Sequence, residues 1–365
     1  MDDERLHLRK ISSTVYFIQA KREDGHELLS RKAGEVFDKL GFVEKVEKDS
    51  FVALKMHFGE HGNKGYIKPQ WLMRIIGSLK NKTSRVFLTD TNTLYLGKRS
   101  NSVDHLELAF QHGFSPDEVG VPVIIADGLI GRNDDEIEIK FTRIKSAKVA
   151  SLFLDTDYLV CLSHFTGHVL AGFGGAIKNL GMGCASRAGK LEQHSVVHPR
   201  INPRTCKNCS ICLDYCPTQA ITQEKGSAVI DEEKCIGCGE CLVVCKLGAV
   251  KMRWDGDYTR VQEKMAEYAY SLHHILQGKI AYVNFVLNVT KDCDCMGRDE
   301  PPVVEDIGIL ASTDAVAVDK ASVDLVLKRS RRDVLREGYD VDWSVQLTHG
   351  QEIGLGSMDY IFSLF

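Results

Sequence analysis

The feature that most constrains this chain is a pair of short, cysteine-dense segments near its middle. The first segment, TCKNCSICLDYCPTQAI (205–221), carries four cysteines: Cys206, Cys209, Cys212 and Cys216. The second segment, KCIGCGECLVVCKLGAV (234–250), repeats their spacing: Cys235, Cys238, Cys241 and Cys245. The start of the chain, MDDERLHLRK, lacks the apolar core of a signal peptide, so we expect a cytoplasmic protein. In that compartment twelve cysteines favour metal thiolates over disulfides.

Both segments have the C-x2-C-x2-C-x3-C spacing of bacterial ferredoxins, in which the fourth cysteine binds the other cluster. Three closely spaced thiolates bind three irons of a cubane, and the fourth iron takes a ligand from elsewhere. One predicted [4Fe–4S] cluster is therefore held by four cysteines: Cys206, Cys209, Cys212 and Cys245. The other predicted cluster is held by the remaining four: Cys235, Cys238, Cys241 and Cys216.

Zinc is the alternative ligand for these cysteines, because C-x2-C pairs also build zinc ribbons. Zinc does not explain the third cysteine of each segment. The second segment has Lys246 where the first has Pro217, a difference that leaves the ligands intact. The spacing therefore predicts two [4Fe–4S] clusters and a path for electrons.

The composition excludes two classes of partner. A net charge of −4 gives no basic surface for nucleic acid. No apolar run reaches the roughly 20 residues that would span a bilayer. The chain of 365 residues, 44% of them hydrophobic, can fold as one large domain and a small module.

Apolar, β-branched runs alternate with segments of helical spacing in the rest of the chain. Six runs predict buried strands: 13–20, 50–56, 84–89, 121–126, 158–163 and 279–289. Three segments predict helices: 26–40, 69–81 and 103–113. This alternation predicts an α/β fold with a mostly parallel sheet covered by helices. We expect a small α+β ferredoxin module (200–256) inserted between two parts of the α/β domain, 1–199 and 257–365.

Polar side chains follow five of the predicted strands, where ligands bind in open parallel sheets. After the second strand come His57, Glu60, His61, Lys64 and Lys68. The next three strands end in Asp90, Asp127 and His164, and the last runs into Asp292, Cys293, Asp294 and Cys295. We expect one cleft to gather them, with His57 and His164 among its catalytic residues.

The glycine-rich stretch 164–194, which follows the fifth predicted strand, holds the most candidate site residues. A Walker A loop has Gly before its Lys and Ser or Thr after it, whereas Ile177 and Asn179 flank Lys178 here. The stretch also has no G-x-G-x-x-G dinucleotide motif. One interpretation is a turn with a solvated lysine and surface imidazoles. The other is a cofactor or anion site in which Gly172, Gly174 and Gly175 allow close approach and Lys178 holds a phosphate or carboxylate. In that site His168 and His194 would act as metal ligands or acid–base groups.

Four cysteines lie outside the two segments. Cys161 falls within a predicted strand and is expected to be a buried core residue. Cys184, Cys293 and Cys295 fall in predicted edge loops. The C-x-C pair predicts a further metal site or redox chemistry, with Cys184 as a third sulfur; the alternative is fortuitous loop cysteines.

The order of motifs KMHFGE, TDTNT, SHFTGHVLAGFGGAIKNLGMG, the cysteine segments, NVTKDCDC and DIGILASTDAVAVDKASVDLV resembles a prokaryotic family. That family is catalogued as domain of unknown function 362, in its ferredoxin-fused branch, and the resemblance covers nearly the whole chain. It implies the fold and iron–sulfur clusters but no agreed reaction. A weaker resemblance is to the nickel-pincer lactate racemases, whose glycine-rich stretch carries a His, a cofactor-bonded Lys and a further His. His168, Lys178 and His194 stand in that order here.

The main functional hypothesis is an iron–sulfur oxidoreductase of anaerobic metabolism. Electrons would pass from a redox partner protein through the clusters to a small-molecule substrate or second metal site. One alternative is an electron carrier whose α/β part docks a partner. The other is a non-redox racemase- or lyase-like enzyme with structural clusters.

Overall fold

The computed structural model describes residues 13–365 except 96, 142, 195–198, 217, 236–240, 242–243 and 252–257. Its largest element is an eight-stranded sheet in the order β16-β1-β15-β14-β7-β2-β3-β4. The strands of this sheet are β1 (Ser13–Gln19), β2 (Val52–Lys55), β3 (Val86–Asp90), β4 (Val123–Ile125), β7 (Tyr158–His164), β14 (Ile280–Val286), β15 (Gly308–Ser312) and β16 (Tyr360–Leu364).

Shorter strands form separate two-stranded pairs. They are β5 (Asp134–Glu138) with β6 (Ser146–Ala150), β8 (Thr166–His168) with β9 (Gly172–Gly174), β10 (Arg200–Ile201) with β13 (Val250–Lys251), and β11 (Ile221–Gln223) with β12 (Ala228–Ile230). All four pairs are antiparallel.

The α-helices of the described residues, in chain order, are α1 (Gly25–Asp38), α2 (Met73–Lys80), α3 (Ser102–Gln111), α4 (Pro116–Val119), α5 (Ala176–Gly181), α6 (Arg187–His194), α7 (Ile211–Asp214), α8 (Tyr258–Ile275), α9 (Ala315–Ser330), α10 (Val334–Tyr339) and α11 (Ser344–Glu352). Short 3-10 helices cover Arg22–Asp24, Val43–Lys45, Pro69–Leu72 and Ser151–Phe153.

The sheet confirms the predicted α/β class. Strands β14, β7, β2, β3 and β4 are parallel neighbours, and β16 is parallel to β1. Only β15 is antiparallel, to both β1 and β14. All six predicted strands are present, whereas β15 and β16 were not predicted as separate strands.

The sheet is buried on both faces because its central strands are continuously apolar. Every residue of β14 is buried, as are Tyr158–Ser163 of β7. One face packs on a core that includes Phe37 of α1 and Ile76 of α2. The other face packs on a core that includes Leu180 of α5, Met265 of α8 and Val323 of α9. Two helical layers therefore sandwich the sheet.

The cysteine segments lie between β7 and β14, as predicted for an insertion. Pairing of Arg200–Ile201 with Val250–Lys251 brings the two ends of this region together. Its small core contains Ile221, Ala228, Cys241 and Val250. The domain limits 1–199, 200–256 and 257–365 stay predictions. No helix in the described part of the chain is long and apolar enough to cross a bilayer.

Candidate functional site

A cavity of about 1080 Å³ opens at the carboxyl edge of the parallel strands. Its wall includes many of the residues singled out in the sequence: His57, Glu60, His61, Asp90, His164, His168, Gly174, Gly175, Lys178, His194, Asp292, Cys293, Asp294 and Cys295. These residues follow β2, β3, β7 and β14, whose carboxyl ends share one edge. The parallel topology therefore gathers the side chains at one place.

Lys178 is brought to the cavity by helix α5, which is tied to the sheet. The side-chain amide of Asn179 donates to the carbonyl oxygens of Lys55 and Leu162, at the ends of β2 and β7. At the start of the helix, the Asp319 carboxylate accepts the backbone N–H groups of Ala176 (2.7 Å) and Ile177 (2.9 Å). A Cβ on Gly175 would lie 2.2 Å from Asp319 Oδ1, so glycine permits this contact.

An anion in the cavity would therefore be bound by Lys178 and not by the first N–H groups of α5. Asp319 already occupies the first N–H groups of α5, whereas Lys178 faces the cavity from the same helix. Gly172 does not line the cavity. It has φ +73°, and a Cβ there would lie 2.5 Å from Trp343 Cβ. Its role in the structure is to shape the β8–β9 hairpin and to allow the close approach of the Trp343 backbone.

Three side chains direct hydrogens at the Cys295 sulfur: His57, Lys178 and Cys293. Its Sγ lies 3.5 Å from His57 Nε2 and 3.9 Å from Lys178 Nζ. His57 Nδ1 accepts the N–H of Gly59 at 2.9 Å, so the neutral ring carries its proton on Nε2, toward the sulfur. A hydrogen bond from Cys293, together with the Lys178 charge and the hydrogen bond from His57, outweighs burial and holds the pKa of Cys295 well below its usual value.

The pKa of the neighbouring thiol, Cys293, is shifted in the opposite direction. Its hydrogen bond to Cys295 and its burial raise the pKa of Cys293 well above the usual value. Burial disfavours the charged form of Lys178, but the neighbouring Cys293 and Cys295 outweigh burial and raise the pKa of its ammonium. The group is therefore a thiol, a thiolate and an ammonium side by side.

The loop that carries both thiols is fixed by Asp294. Its carboxylate lies 2.9 Å from His164 Nδ1, and His164 Nε2 lies 2.7 Å from the Leu287 carbonyl oxygen. Burial lowers the pKa of His164, but Asp294 outweighs it and the net direction is upward. The backbone N–H of Glu60 donates to the Asp294 carbonyl at 3.1 Å. Both His164 nitrogens are thus engaged, which suits positioning better than proton transfer.

His168 faces the cavity as a neutral donor. Its Nδ1 accepts the N–H groups of Leu170 (3.3 Å) and Ala171 (3.2 Å), so the neutral ring carries its proton on Nε2. Burial and the nearby Lys178 charge lower its pKa well below the usual value. The same two causes lower the pKa of His194 to about 4. Both imidazoles are therefore neutral at pH 7.

The predicted third sulfur lies apart from the C-x-C pair. Cys184 is buried, its Sγ is 3.6 Å from the Asn179 carbonyl oxygen, and it does not line the cavity. Cys161 is a fully buried core residue. Within the described ranges, no three Cys, His, Asp or Glu side chains are grouped to hold one metal ion. The metal site expected at the C-x-C pair stays a prediction.

Three other predicted residues also lie outside the cavity wall. Asp127 does not line the cavity, and its carboxylate accepts the backbone N–H of Asn92 at 2.9 Å. Lys68 likewise is not in the wall; its Nζ lies 3.5 Å from the centre of the Tyr66 ring. Lys64 is also absent from the wall.

A buried ionic network in the cavity wall was only partly read from the sequence, which marked Asp90 and Glu60 but neither Lys55 nor Arg99. Lys55 Nζ lies 3.0 Å from Asp90, and Arg99 bridges Glu60 (3.2 Å) and Asp90 (3.5 Å). Burial alone would raise the pKa of Asp90, but the Lys55 charge and His105 hold it well below its usual value. The polar run TDTNT signalled Asp90, whereas nothing local marked Arg99.

Asp90→Asn is expected to destabilise the fold by about 3–5 kcal/mol, because it leaves Lys55 and Arg99 buried with one counter-charge fewer. The depressed pKa means that the Asp90 contribution is present above the unfolded value of about 3.9 and is lost only as pH falls through the folded value. The loss of unfolding free energy in Asp90→Asn should therefore be constant near neutral pH. Anaerobic guanidinium unfolding would measure it, with exposed Asp135→Asn as control. Equal midpoints for the two variants would contradict this role.

The cysteine module has features that fit cluster ligands. Burial and the charges of Cys245, Cys206 and Cys209 raise the pKa of Cys212, so these three sulfurs lie within electrostatic range of Cys212. With Cys212 they are the set predicted to share one cubane.

Backbone N–H groups also point at the module's sulfurs. Ala220 N lies 3.2 Å from Cys216 Sγ, and Ala249 N lies 3.3 Å from Cys245 Sγ. The donor is four residues after the cysteine in both cases, so the two segments repeat in structure as well as in sequence. Such hydrogen bonds tune cluster potentials. Cys238 lies outside the described residues.

The module also contributes to the cavity. Thr205, which precedes Cys206, is in the wall, as are Leu247 and Gly248, which follow Cys245. Val250 and Lys251 of β13 line the same space. The residues flanking one predicted cluster and the Cys295–Lys178 group therefore face a common cavity.

Relatives of the chain include ferredoxin-type proteins. It is 38% identical over 52 residues to an uncharacterized ferredoxin of Methanocaldococcus jannaschii, covering 14% of this chain and 31% of that protein. It is 35% identical over 86 residues to pyruvate synthase subunit PorD of Thermotoga maritima, covering 23% of this chain and 84% of that subunit. The chain thus spans about a third of the first relative's length. These matches confirm the predicted ferredoxin resemblance and support an iron–sulfur electron-transfer protein.

Among solved structures, the lactate racemase apoprotein of Thermoanaerobacterium thermosaccharolyticum is similar with a TM-score of 0.40 at 12% identity. The match covers 79% of this chain and 52% of the racemase chain. The family model described as Domain of unknown function (DUF362) matches residues 52–324, well over half of the chain. The order of motifs, the parallel sheet and this match agree, and the chain belongs to the DUF362 family.

Proposed function

We propose that this protein is an oxidoreductase in which two [4Fe–4S] clusters pass electrons to a substrate in the cavity. One observation carries the proposal: residues flanking Cys206 and Cys245 share the cavity wall with Lys178 and Cys295. A carrier whose α/β part only docked a partner would not need such a shared cavity. When bound, the clusters would supply one-electron steps, and the chain's own residues would bind and orient the substrate.

The flanking residues also suggest an order for the clusters. The set Cys206, Cys209, Cys212 and Cys245 would hold the cluster beside the cavity, here called the proximal cluster. Within the described residues, no neighbour of Cys216 or Cys235 lines the cavity. The cluster on Cys216, Cys235, Cys238 and Cys241, here called the distal cluster, would then receive electrons from a redox partner protein. A cytoplasmic setting would keep the other thiols reduced.

The cavity would favour a small anionic substrate. Lys178 supplies an ammonium beside Cys295, and His168 presents an N–H donor. Lys98 and Lys251 add further cations to the wall. Most of the acidic groups are already engaged: Asp294 with His164, and Asp90 and Glu60 with Lys55 and Arg99. The unpaired charge of the cavity wall is therefore positive.

A fluorine label tests whether a cluster lies beside the cavity. A trifluoromethyl-bearing maleimide on Cys295 should show faster ¹⁹F nuclear relaxation when dithionite reduces the clusters, because the reduced clusters are paramagnetic. Cys209→Ala, which removes a proximal-cluster ligand, should abolish most of this enhancement. Cys216→Ala, which removes a distal-cluster ligand, should abolish much less of it.

The oxidised protein with the same label is the internal control, since its clusters are diamagnetic. A Cys295→Ser protein treated with the same reagent shows how much label attaches elsewhere. Equal relaxation in the oxidised and reduced states would reject the proposed function. A larger effect of Cys216→Ala than of Cys209→Ala would reverse the order of the clusters.

A further inference from the structure

We propose that Cys293 and Cys295 form a dithiol–disulfide couple that carries two electrons from the clusters to a small anionic disulfide in the cavity. The electron supply rests on the proposed function, whereas the thiol chemistry rests on the C-x-C loop itself. Of the two chemistries expected for this pair, such a couple is redox chemistry and not metal binding.

The arrangement around Cys295 is that of an attacking thiolate. His57 Nε2 at 3.5 Å and Lys178 Nζ at 3.9 Å both present hydrogens to the sulfur. Cys293 adds a thiol hydrogen bond. A thiolate, and not a thiol, is the nucleophile in exchange with a disulfide. His57 and Lys178 therefore act as positioning residues for Cys295.

The second thiol is held where a resolving thiol is needed. The chain turns at this point, since the Met296 N–H donates to the Cys293 carbonyl at 3.0 Å. The turn keeps the Cys293 thiol in hydrogen-bonding range of Cys295, and His164 holds the intervening Asp294 at 2.9 Å. Tyr95 Oη donates to the Cys295 carbonyl at 3.4 Å and Glu60 N to the Asp294 carbonyl at 3.1 Å. The loop is anchored on both sides, which keeps the sulfurs together.

Reduction of the substrate takes two thiol–disulfide exchanges, after which the clusters reduce the couple again. Cys295 thiolate attacks one sulfur of the substrate RS–SR′, forming a mixed disulfide and releasing RS⁻. Cys293 loses its proton to a released thiolate and attacks Cys295 Sγ, which releases the second half and closes the Cys293–Cys295 disulfide. One electron from each cluster and one proton then restore the Cys293 thiol and the Cys295 thiolate. The net reaction consumes the disulfide, two electrons and one proton, and yields one thiol and one thiolate.

The substrate class follows from the wall and the volume. About 1080 Å³ can hold a compound much larger than the side chains that would act on it. Lys178, Lys98 and Lys251 are cationic, and His168 offers an N–H, so carboxylates flanking the S–S bond would be bound. A neutral disulfide of similar size would lack these contacts.

The test uses anaerobic holoprotein with dithionite-reduced clusters, freed of excess reductant. The anionic probe is 5,5′-dithiobis(2-nitrobenzoate), and the uncharged probe is 4,4′-dithiodipyridine. We expect the anionic probe to restore the cluster absorption, with release of its thiol and a Cys293–Cys295 disulfide in the peptide map. The uncharged probe should react more slowly. Cys295→Ser should slow reoxidation by about 100-fold or more, since it removes the attacking thiolate.

Cys293→Ser should stop at the mixed disulfide, with one half of the probe retained on Cys295. Cys184→Ser is the matched control, because this buried cysteine lies outside the cavity and serine keeps a donor for the Asn179 carbonyl. Cluster reoxidation that is equally fast in Cys295→Ser would overturn the couple. If wild type forms the Cys293–Cys295 disulfide while the clusters stay reduced, the thiol chemistry stands and the electron supply, hence the proposed function, fails.

Discussion

Replacing Cys209 by alanine is expected to remove the proximal cluster and with it about half of the iron and half of the sulfide, because each cubane needs four thiolates. Cys238→Ala should remove a similar amount through the distal cluster. The broad visible absorption should fall in proportion. The effect is large because a cluster that loses a ligand loses the whole inorganic core around which its segment folds.

Elemental analysis and acid-labile sulfide, measured on anaerobically prepared protein, give the result directly. Cys184→Ser is the control for an unrelated cysteine and should keep the full iron content. If Cys209→Ala and Cys238→Ala each retained all of the iron, the predicted assignment of ligands to two clusters would be wrong. Complete loss of iron in both variants would instead show that neither cluster forms without the other.

Lys178→Ala is expected to leave the iron content unchanged but to make Cys295 a much weaker nucleophile. The ammonium lies 3.9 Å from the sulfur and is one of the charges that lower the pKa of Cys295. Loss of a neighbouring charge of this kind shifts a pKa by about 1–3 units, so alkylation by iodoacetate near neutral pH should slow by about tenfold or more. The carboxylate of the reagent would also lose its partner.

The alkylation rate of Cys295 can be followed by mass spectrometry of the peptide that contains it. Lys178→Arg keeps the charge and should recover much of the rate, while Lys39→Ala, at an exposed position just after the distant helix α1, should behave as wild type. Unchanged alkylation in Lys178→Ala would remove Lys178 from the site. Loss of iron in this variant would show that the cavity and the cluster module are not separate parts.

The fold was readable in sequence because the strong signals are local. The continuously apolar runs of β7 and β14 identify strands buried on both faces, and their parallel pairing brings the following residues to one edge. That rule led to His57, Lys178 and the C-x-C pair without any tertiary information. Strand β15 was missed because its short apolar run merges with the start of helix α9.

The parts that could not be read depend on contacts between distant segments. Arg99 pairs with Glu60 across 39 positions, and Asn179 ties α5 to carbonyls of β2 and β7. Cys184 and Cys295 are both loop cysteines in the sequence, yet one is buried against Asn179 and the other faces His57. Residue type and spacing propose the ligands and nucleophiles, whereas packing decides which of them meet.

The most direct measurement of the central claim is the metal and sulfide content of anaerobically purified protein. The account predicts about eight iron and eight acid-labile sulfide per chain, following from two cubanes, with brown absorption that bleaches on reduction by dithionite. Stoichiometric zinc with little sulfide would contradict it, because structural zinc cannot pass electrons to the cavity beside Cys206 and Cys245.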